Sequence, residues 1–206
     1  MNVLEAESGA LFTALSGLLY EKGFLTPAEL SERVAVTERA SPAQGARMVA
    51  KAWTDPGYRE LMLRDGTAAA EATGAFMRGS PPLGVLANEP GLHHLVVCTL
   101  CSCYPRAVLG YPPFWFKSAT YRARAVRDPR GVLAEWGTVL PDDTRLRVVD
   151  STADYRWMVL PMRPEGTDGW SEEQLAALVS EGDMIGVTVP SPNRERGRAS
   201  IPRRGS

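Results

Sequence analysis

The chain has 206 residues, of which 44% are hydrophobic and 23% are charged, and its formal net charge is −1. This length allows one substantial domain with an extension, and the small net charge gives no overall electrostatic reason to expect a nucleic-acid partner. No run of about 18 apolar residues is present, so no membrane span is expected. The acidic segment MNVLEAESGA does not resemble a secretion signal, so a cytoplasmic location is expected.

Helical periodicity dominates the first part of the chain. Leucines at helical spacing within residues 8–38 predict two short helices separated by a turn at Gly23. A third helix is expected over residues 42–53, and a fourth from near Asp55 through the alanine-rich segment TAAAEATGAFM. These helices together suggest an N-terminal helical arm over residues 1–79.

Strand and helix patterns alternate from residue 80 to residue 190. The apolar segments HLVVCTL, TRLRVVDS, YRWMVLP and MIGVTVP predict strands, whereas DPRGVLAEWG has helical character. Ser171 and Gln174 form the capping box of a further helix, SEEQLAALVSEG. Helices followed by mixed helices and strands indicate an α+β fold. The arginine-rich residues 191–206 are expected to be a basic flexible tail.

All three cysteines, Cys98, Cys101 and Cys103, lie within the six-residue motif CTLCSC. Clustered cysteines in a reducing compartment more often bind metal or react than form disulfides. A structural zinc site would need His93 or His94 as its fourth ligand. An iron–sulfur cluster normally needs four thiolates, and a disulfide between Cys101 and Cys103 would be strained.

A further alternative adds backbone atoms to the ligand set. With cysteines at i, i+3 and i+5, the chain can curl around one ion so that three sulfurs and the peptide nitrogens of Ser102 and Cys103 converge on it. Deprotonated amides need a strongly Lewis-acidic metal, which favours a trivalent ion over zinc. Five such ligands leave one position open, as in catalytic metal sites.

The cysteine motif and its surroundings resemble the α subunit of the nitrile hydratase family. Besides CTLCSC, the segments QGARMVAKAWTDPGY, GYPPFWFKSATYRARAVRDPRGVLAEWGT, VDSTADYRWMVLPMRPEGTDGWSEEQL and IGVTVP follow the family in order, over roughly residues 10–190. The resemblance implies a helical arm followed by a layered αββα catalytic domain, which binds the metal, at residues 80–190. The implied reaction is Lewis-acid hydration of a small-molecule nitrile to its amide.

The resemblance also implies the metal and its ligands. Cys98, Cys101 and Cys103 would supply sulfur, and Ser102 and Cys103 would supply amide nitrogen. Cys101 would be a sulfinic acid and Cys103 a sulfenic acid, whose oxygens could act as nucleophile or base. Threonine at position 99 marks the cobalt form of the motif, so non-corrin Co(III) is expected and iron is disfavoured.

Residues outside the motif are implied as well. Asp154 and Arg156 fall where the family has an acidic residue and an arginine that support the site, and the hydroxyl of Ser102 could bond a sulfur oxygen. In the family, a β-type subunit of one or two chains completes the active site. Arg106 stands where most nitrile hydratases have tryptophan, and this arginine favours a polar or anionic ligand.

Two alternative functions follow from these observations. The γ subunit of thiocyanate hydrolase is similar in having arginine at the position of Arg106. From another class, a non-catalytic metal-binding subunit could keep the cysteine motif as structure. Two more positions differ from the family: Phe116 replaces the usual tyrosine of the PPxWYKS segment, and Gly79 stands where the family has a glutamine. Within the nitrile hydratases, these differences and Arg106 favour the toyocamycin type, which hydrates a nitrile on a nucleoside.

Overall fold

The computed structural model describes residues 3–193, with side chains from residue 8 onward. The chain divides into two compact units, Met1–Arg39 and Ala40–Ser206. The helical arm predicted at residues 1–79 therefore covers the first unit and the beginning of the second. All but the first residues of the predicted tail, 191–206, lie outside the described part, and the division into arm, catalytic domain and tail stays a prediction.

The first unit consists of two helices, α1 (Val3–Glu21) and α2 (Pro27–Arg39). Between them Gly23 has a φ of 68°, a left-handed conformation that costs glycine little because it has no Cβ atom. Helix α2 begins with a reciprocal cap, in which Thr26 donates to the Glu29 carboxylate and its hydroxyl accepts the Glu29 N–H. The predicted pair of helices with a turn at Gly23 is confirmed.

The second unit contains nine short helices and four strands within its described residues. The helices are α3 (Pro42–Thr54), α4 (Pro56–Arg64), α5 (Gly66–Ala72), α6 (Arg106–Leu109), α7 (Phe114–Lys117), α8 (Ala119–Arg127), α9 (Pro129–Glu135), α10 (Glu172–Ala176) and α11 (Glu181–Ile185). The strands are β1 (Leu83–Ala87), β2 (Leu92–Val97), β3 (Arg145–Asp150) and β4 (Arg156–Leu160).

The strands form two parallel pairs, β1 with β4 and β2 with β3. Strand β2 also contacts β4, whereas α4 and α5 pack on β1, α8 packs on β2 and α9 packs on β3. The two pairs therefore lie between two groups of helices, and the predicted α+β fold with αββα layers is confirmed. Parallel pairing places Val97 opposite Asp150, so β2 and β3 end side by side.

Apolar side chains from both strand pairs and from the helices fill the core. Leu95 on β2, Met158 on β4, Phe116 on α7 and Met48 on α3 are each 0% exposed. Burial of one such side chain stabilises the fold by about 1.5–3 kcal/mol. The strand that leads into the cysteine motif is thus fixed on a packed core. No helix between residues 3 and 193 is long and apolar enough to cross a bilayer.

Three sequence predictions in the second unit are wrong. The predicted helix SEEQLAALVSEG is divided, because α10 ends at Ala176 and α11 begins at Glu181 after its own cap at Ser180. The segment MIGVTVP is not a strand: helix α11 covers its start and ends at Gly186, which has a φ of 89°. A Cβ atom at Gly186 would lie 2.0 Å from the carbonyl oxygen of His94, so this close approach requires glycine. The predicted fourth helix is divided into α4 and α5 because Asp65 leaves the helical conformation and caps α5 through the N–H of Ala68.

Candidate metal centre

The cysteine motif forms a loop between β2 and α6. The three Sγ atoms lie within 4.8 Å of one another. Cys101 is central, because its Sγ is 3.7 Å from that of Cys98 and 3.3 Å from that of Cys103. This spacing is too long for disulfide bonds and is suited to three sulfurs around one ion. The predicted convergence of the three side chains is therefore present.

Burial divides the cysteines. Cys98 is 1% exposed and Cys103 is 7% exposed, whereas Cys101 is exposed. Hydrogen bonds from the Cys103 thiol and from the N–H of Ser102 lower the pKa of Cys101. Burial raises the pKa of Cys103 to about 11, against the opposing effect of the nearby Arg156. Cys101 is therefore more acidic than Cys103, and it is also the exposed sulfur of the three, which opens it to oxidation and metal capture.

Peptide N–H groups of the loop are turned toward the sulfurs. The N–H of Cys101 donates to Cys98 Sγ at 3.2 Å. The N–H groups of Ser102 and Cys103 act on the neighbouring Cys101 sulfur and lower its pKa. The two predicted nitrogen donors thus face the sulfur cluster, although their role as ligands stays a prediction.

Arg156, the first residue of β4, lies beside Cys103 and lowers the pKa of that thiol. Its Nη1 is buried and has no hydrogen-bond partner among the described residues. A buried donor without a partner costs about 1–3 kcal/mol, and more when the group is charged. An oxygen on the neighbouring sulfur, or on a bound molecule, would supply the missing acceptor.

The remaining predicted site residues are less closely connected to the sulfurs. Asp154 is exposed in the loop between β3 and β4, and within residues 3–193 no hydrogen bond or ion pair joins it to the cysteines. Arg106 begins α6 and is exposed, with its guanidinium carbon 4.2 Å from the centre of the Tyr111 ring. Ser102 is half-buried. The structure therefore brings Arg156, but not Asp154 or Arg106, into contact with the cluster.

The two histidines do not join the sulfur cluster. His93 Nε2 lies 2.8 Å from the carbonyl oxygen of Gly186, and its Nδ1 lies 3.1 Å from Asn88 Nδ2. Both ring nitrogens of His93 are therefore engaged. His94 Nδ1 lies 3.3 Å from Asn88 Oδ1, and among the residues that the structure describes the clustered ligand atoms come from the cysteines. A zinc site completed by either histidine is not formed.

Sequence analysis did not single out Asp150 and Arg122, which bond directly to the loop. Asp150, the last residue of β3, accepts from the N–H and the hydroxyl of Thr99. Arg122 on α8 donates to the carbonyl oxygens of Thr99 and Leu100. A signal for Asp150 was present, because polar residues at the ends of adjacent parallel strands come together. No sequence signal distinguished Arg122 from the other arginines.

The downstream end of the loop is fixed by a hydrogen bond between a buried tyrosine and a half-buried glutamate, which sequence analysis also missed. The Tyr104 hydroxyl donates to Glu181 Oε1 at 2.5 Å, and Tyr104 is 2% exposed. Burial raises the pKa of both groups. The residue after Cys103 is therefore tied to the first turn of α11.

The donor set fits a transition metal of high thiolate affinity. Three sulfurs and two nearby amides are soft or strongly donating ligands, and the group contains no carboxylate or imidazole. The partnerless Nη1 of Arg156 fits oxidised sulfur or a bound ligand at the same place. Fold and site together thus define a subunit with a cysteine metal centre.

A family profile described as "Nitrile hydratase, alpha chain" matches residues 6–188, and the chain belongs to this family. It is 49% identical over 177 residues to the high-molecular weight cobalt-containing nitrile hydratase subunit alpha of Rhodococcus rhodochrous, covering 85% of this chain and 87% of that protein. It is 46% identical over 190 residues to thiocyanate hydrolase subunit gamma of Thiobacillus thioparus, covering 87% of this chain and 78% of that protein.

Solved structures of the same family share the fold. A recombinant thiocyanate hydrolase comprising partially modified cobalt centres aligns with a TM-score of 0.82 at 44% identity, over 94% of this chain and 92% of that one. An Fe-type nitrile hydratase double mutant from Comamonas testosteroni Ni1 aligns with a TM-score of 0.77 at 39% identity, over 96% of this chain and 100% of that one. The family resemblance inferred from CTLCSC and its flanking segments is confirmed.

Proposed function

We propose that the chain is the metal-bearing subunit of a cobalt nitrile hydratase, a hydro-lyase that converts a nitrile to the corresponding amide. The observation that carries this proposal is the convergence of three Sγ atoms within 4.8 Å on a loop whose amides face the same cluster. Relatives named as cobalt-containing nitrile hydratase subunits support cobalt over iron. The trivalent, non-corrin state of the ion belongs to the proposal.

Within this site, Cys98, Cys101 and Cys103 would hold the ion through sulfur, and Ser102 and Cys103 would hold it through their amide nitrogens. When bound, the ion supplies Lewis acidity that makes the nitrile carbon electrophilic. Overall, water adds across the carbon–nitrogen triple bond, so that oxygen goes to carbon and nitrogen gains the protons of the amide.

Oxidation of two cysteines completes the proposed chemistry. An external oxidant such as dioxygen would convert Cys101 to a sulfinic acid and Cys103 to a sulfenic acid. The Cys103 oxygen would accept a proton from the attacking water, or would itself attack the nitrile carbon and then be restored by water. Arg156 Nη1, which is buried beside this sulfur, donates to the new oxygen and stabilises its negative charge. The Ser102 hydroxyl is a second donor, and Asp154 completes the supporting network.

A partner subunit is also part of the proposal. Leu11, Phe12, Leu15 and Leu18 on α1 are between 49% and 71% exposed. A continuous apolar stripe of this kind normally covers another protein surface. We propose a β-type subunit, of one or two chains, that covers this helix and completes the active site, in the cytoplasm.

Thiocyanate hydrolysis is the second candidate function, and Arg106 is the observation that favours it. Arg106 lies three residues after Cys103, with its exposed guanidinium stacked on Tyr111. A cation three residues from the last cysteine would attract an anion such as thiocyanate, or a polar nitrile of the nucleoside type, to the surroundings of the loop. The thiocyanate hydrolase γ subunit is 46% identical to this chain, close to the 49% of the cobalt nitrile hydratase relative.

A product assay tests the proposal. The chain, produced with its partner and cobalt, is given aliphatic nitriles, a nucleoside nitrile and thiocyanate in parallel. We expect amide from at least one nitrile, together with two added oxygens on Cys101 and one on Cys103 by peptide mass spectrometry. Carbonyl sulfide from thiocyanate alone would favour the second candidate. Stable cobalt binding without turnover of any substrate would favour a non-catalytic metal-binding subunit.

A further inference from the structure

The cysteine loop has few backbone bonds of its own. Residues 98–105 belong to no helix or strand. Outside helices and strands, no backbone-to-backbone hydrogen bond in the described part of the chain involves residues 98–103. The conformation of these peptide groups must therefore be fixed by side chains or by the ion.

Asp150 holds the first peptide group of the loop. Its Oδ1 accepts the Thr99 N–H at 3.0 Å, and its Oδ2 accepts the Thr99 hydroxyl at 2.5 Å. The strand register fixes the carboxylate, because Asp150 pairs with Val97 and the next residue, Ser151, donates its N–H to the Val97 carbonyl at 2.7 Å. Both carboxylate oxygens are thus committed to one residue of the loop.

Arg122 holds the next two peptide groups from the other side. Its Nη1 donates to the Thr99 carbonyl at 3.1 Å and to the Leu100 carbonyl at 2.9 Å. Its helix is tied to β2 by the adjacent Tyr121, whose hydroxyl donates to the Val96 carbonyl at 2.7 Å. The guanidinium therefore stands in a fixed position relative to the strand that leads into the loop.

The bond from Arg122 to the Leu100 carbonyl also determines where an N–H of the loop points. The carbonyl of Leu100 is bound to Arg122, and the N–H of the same peptide group, which belongs to Cys101, donates to Cys98 Sγ at 3.2 Å. Since a peptide group is planar, fixing its oxygen also fixes the opposite N–H. Arg122 thereby directs a hydrogen bond onto a sulfur of the cluster.

We propose that Asp150 and Arg122 are positioning residues for the metal centre, which clamp the Thr99 and Leu100 peptide groups so that the sulfurs and the following amides are arranged before the ion arrives. This inference rests on the proposed function in so far as it requires a metal at the cysteines. Residues that orient metal ligands typically change metal affinity or activity about 10–100-fold when they are replaced.

The test uses the full chain with its partner subunit, loaded with cobalt. The variants are Arg122→Met and Asp150→Asn, with Arg122→Lys as the conservative replacement. Arg127→Met, on the same helix, and Asp143→Asn, in the loop before β3, are matched controls at exposed positions. The readouts are the sulfur-to-cobalt charge-transfer spectrum, the rate of cobalt release to a chelator, and the unfolding midpoint of the metal-free protein.

We expect Arg122→Met and Asp150→Asn to shift the charge-transfer band and to release cobalt about 10–100-fold faster, with unfolding midpoints close to those of the controls. Arg122→Lys should recover part of the effect, because one ammonium can still bond a carbonyl. Spectra and release rates equal to those of Arg127→Met and Asp143→Asn would overturn the inference.

A second variant keeps the test decisive where the first ones do not fold. Thr99→Val has nearly the shape of threonine but lacks the hydroxyl that bonds Asp150, and it is expected to release cobalt faster than the wild type by a smaller factor. An unchanged release rate in Thr99→Val would then overturn the inference. If the wild-type chain itself shows no charge-transfer band, the proposed function fails, whatever the roles of Asp150 and Arg122.

Discussion

Strand β2 has polar groups at both ends, and the two sets differ in how completely they are paired. At its start, Asn88 Oδ1 accepts the N–H of His94 at 2.8 Å, and Asn88 Nδ2 lies 3.1 Å from His93 Nδ1. Because His93 Nε2 faces the Gly186 carbonyl at 2.8 Å, it carries the ring proton and Nδ1 accepts. Apart from His94 Nε2, this network satisfies itself.

At the other end of β2, the polar groups converge and are only partly paired. The sulfurs of the cysteine loop lie 3.3 Å and 3.7 Å apart, and Arg156 Nη1 beside them has no partner among the described residues. A closed network contributes to the stability of the fold, whereas an open one needs a ligand. The comparison predicts that replacements at the loop affect metal binding, and that replacements at the histidines affect stability.

Cys101→Ala should have the largest effect. Cys101 is exposed, so its loss leaves the core unchanged, but it removes the central sulfur of the cluster. We expect cobalt retention and amide formation to fall more than about 100-fold, beyond the range of supporting residues. Cobalt analysis after gel filtration, with the unfolding midpoint as control, checks this. A variant that retains one cobalt per chain would contradict the assigned ligand.

Arg156→Met should separate metal binding from turnover. The replacement keeps much of the side-chain volume but removes the buried donor beside Cys103. We expect activity to fall about 10–100-fold, whereas the cobalt content stays near that of the wild type. Arg145→Met, at an exposed position of β3, is the control. If Arg156→Met lost cobalt and its remaining cobalt-bound fraction turned over substrate at the wild-type rate, Arg156 would be assigned to metal binding instead.

His93→Leu should lower stability and spare the metal. The change leaves Asn88 Nδ2 and the Gly186 carbonyl unpaired in the interior. The free energy of unfolding should decrease by about 1–3 kcal/mol per unpaired group, measured by urea denaturation of the metal-free chain. His93→Gln, which can keep the bond to Gly186, should lose less. If His93→Leu altered the charge-transfer band as strongly as Arg122→Met does, the prediction that the histidine end of β2 affects stability and not the metal would be wrong.

The pH dependence of stability should be the smallest effect. Burial lowers the pKa of both histidines from 6.5, and they are the two histidines of the chain. The unfolded chain therefore binds protons more readily, so their contribution is full above about pH 6.5 and decreases as the pH falls toward the lower folded pKa, by at most about 1.4 kcal/mol per pH unit per histidine. Urea unfolding of the metal-free chain between about pH 7.5 and pH 5.5 measures this slope. His93→Gln should reduce it, and an unchanged slope would assign it to other groups.

The sequence was sufficient for the family, the α+β class and the cysteine cluster, because these depend on local patterns. The spacing of Cys98, Cys101 and Cys103 allows one short loop to bring the three sulfurs together. The segment MIGVTVP was misassigned because a short apolar run has no distinguishing period, and its conformation follows from the approach of Gly186 to His94.

The surroundings of the cluster were harder to predict. Asp150 and Arg122 are 51 and 23 residues away from Thr99 along the chain, and they meet the loop only through the parallel pairing of β2 with β3 and the packing of α8 on β2. Arg156 was inferred from the family resemblance, and its contact with Cys103 depends on the position of β4. Tertiary packing, which no local pattern encodes, selects these partners.

X-ray absorption spectroscopy of the cobalt-loaded protein tests the central claim most directly, because it counts the atoms bound to the metal. The account predicts three sulfur and two nitrogen neighbours around one cobalt in the wild-type chain, and loss of this shell in Cys101→Ala. A shell made of oxygen and nitrogen alone, or one that Cys101→Ala leaves unchanged, would contradict the assignment of the cysteine loop as the metal centre.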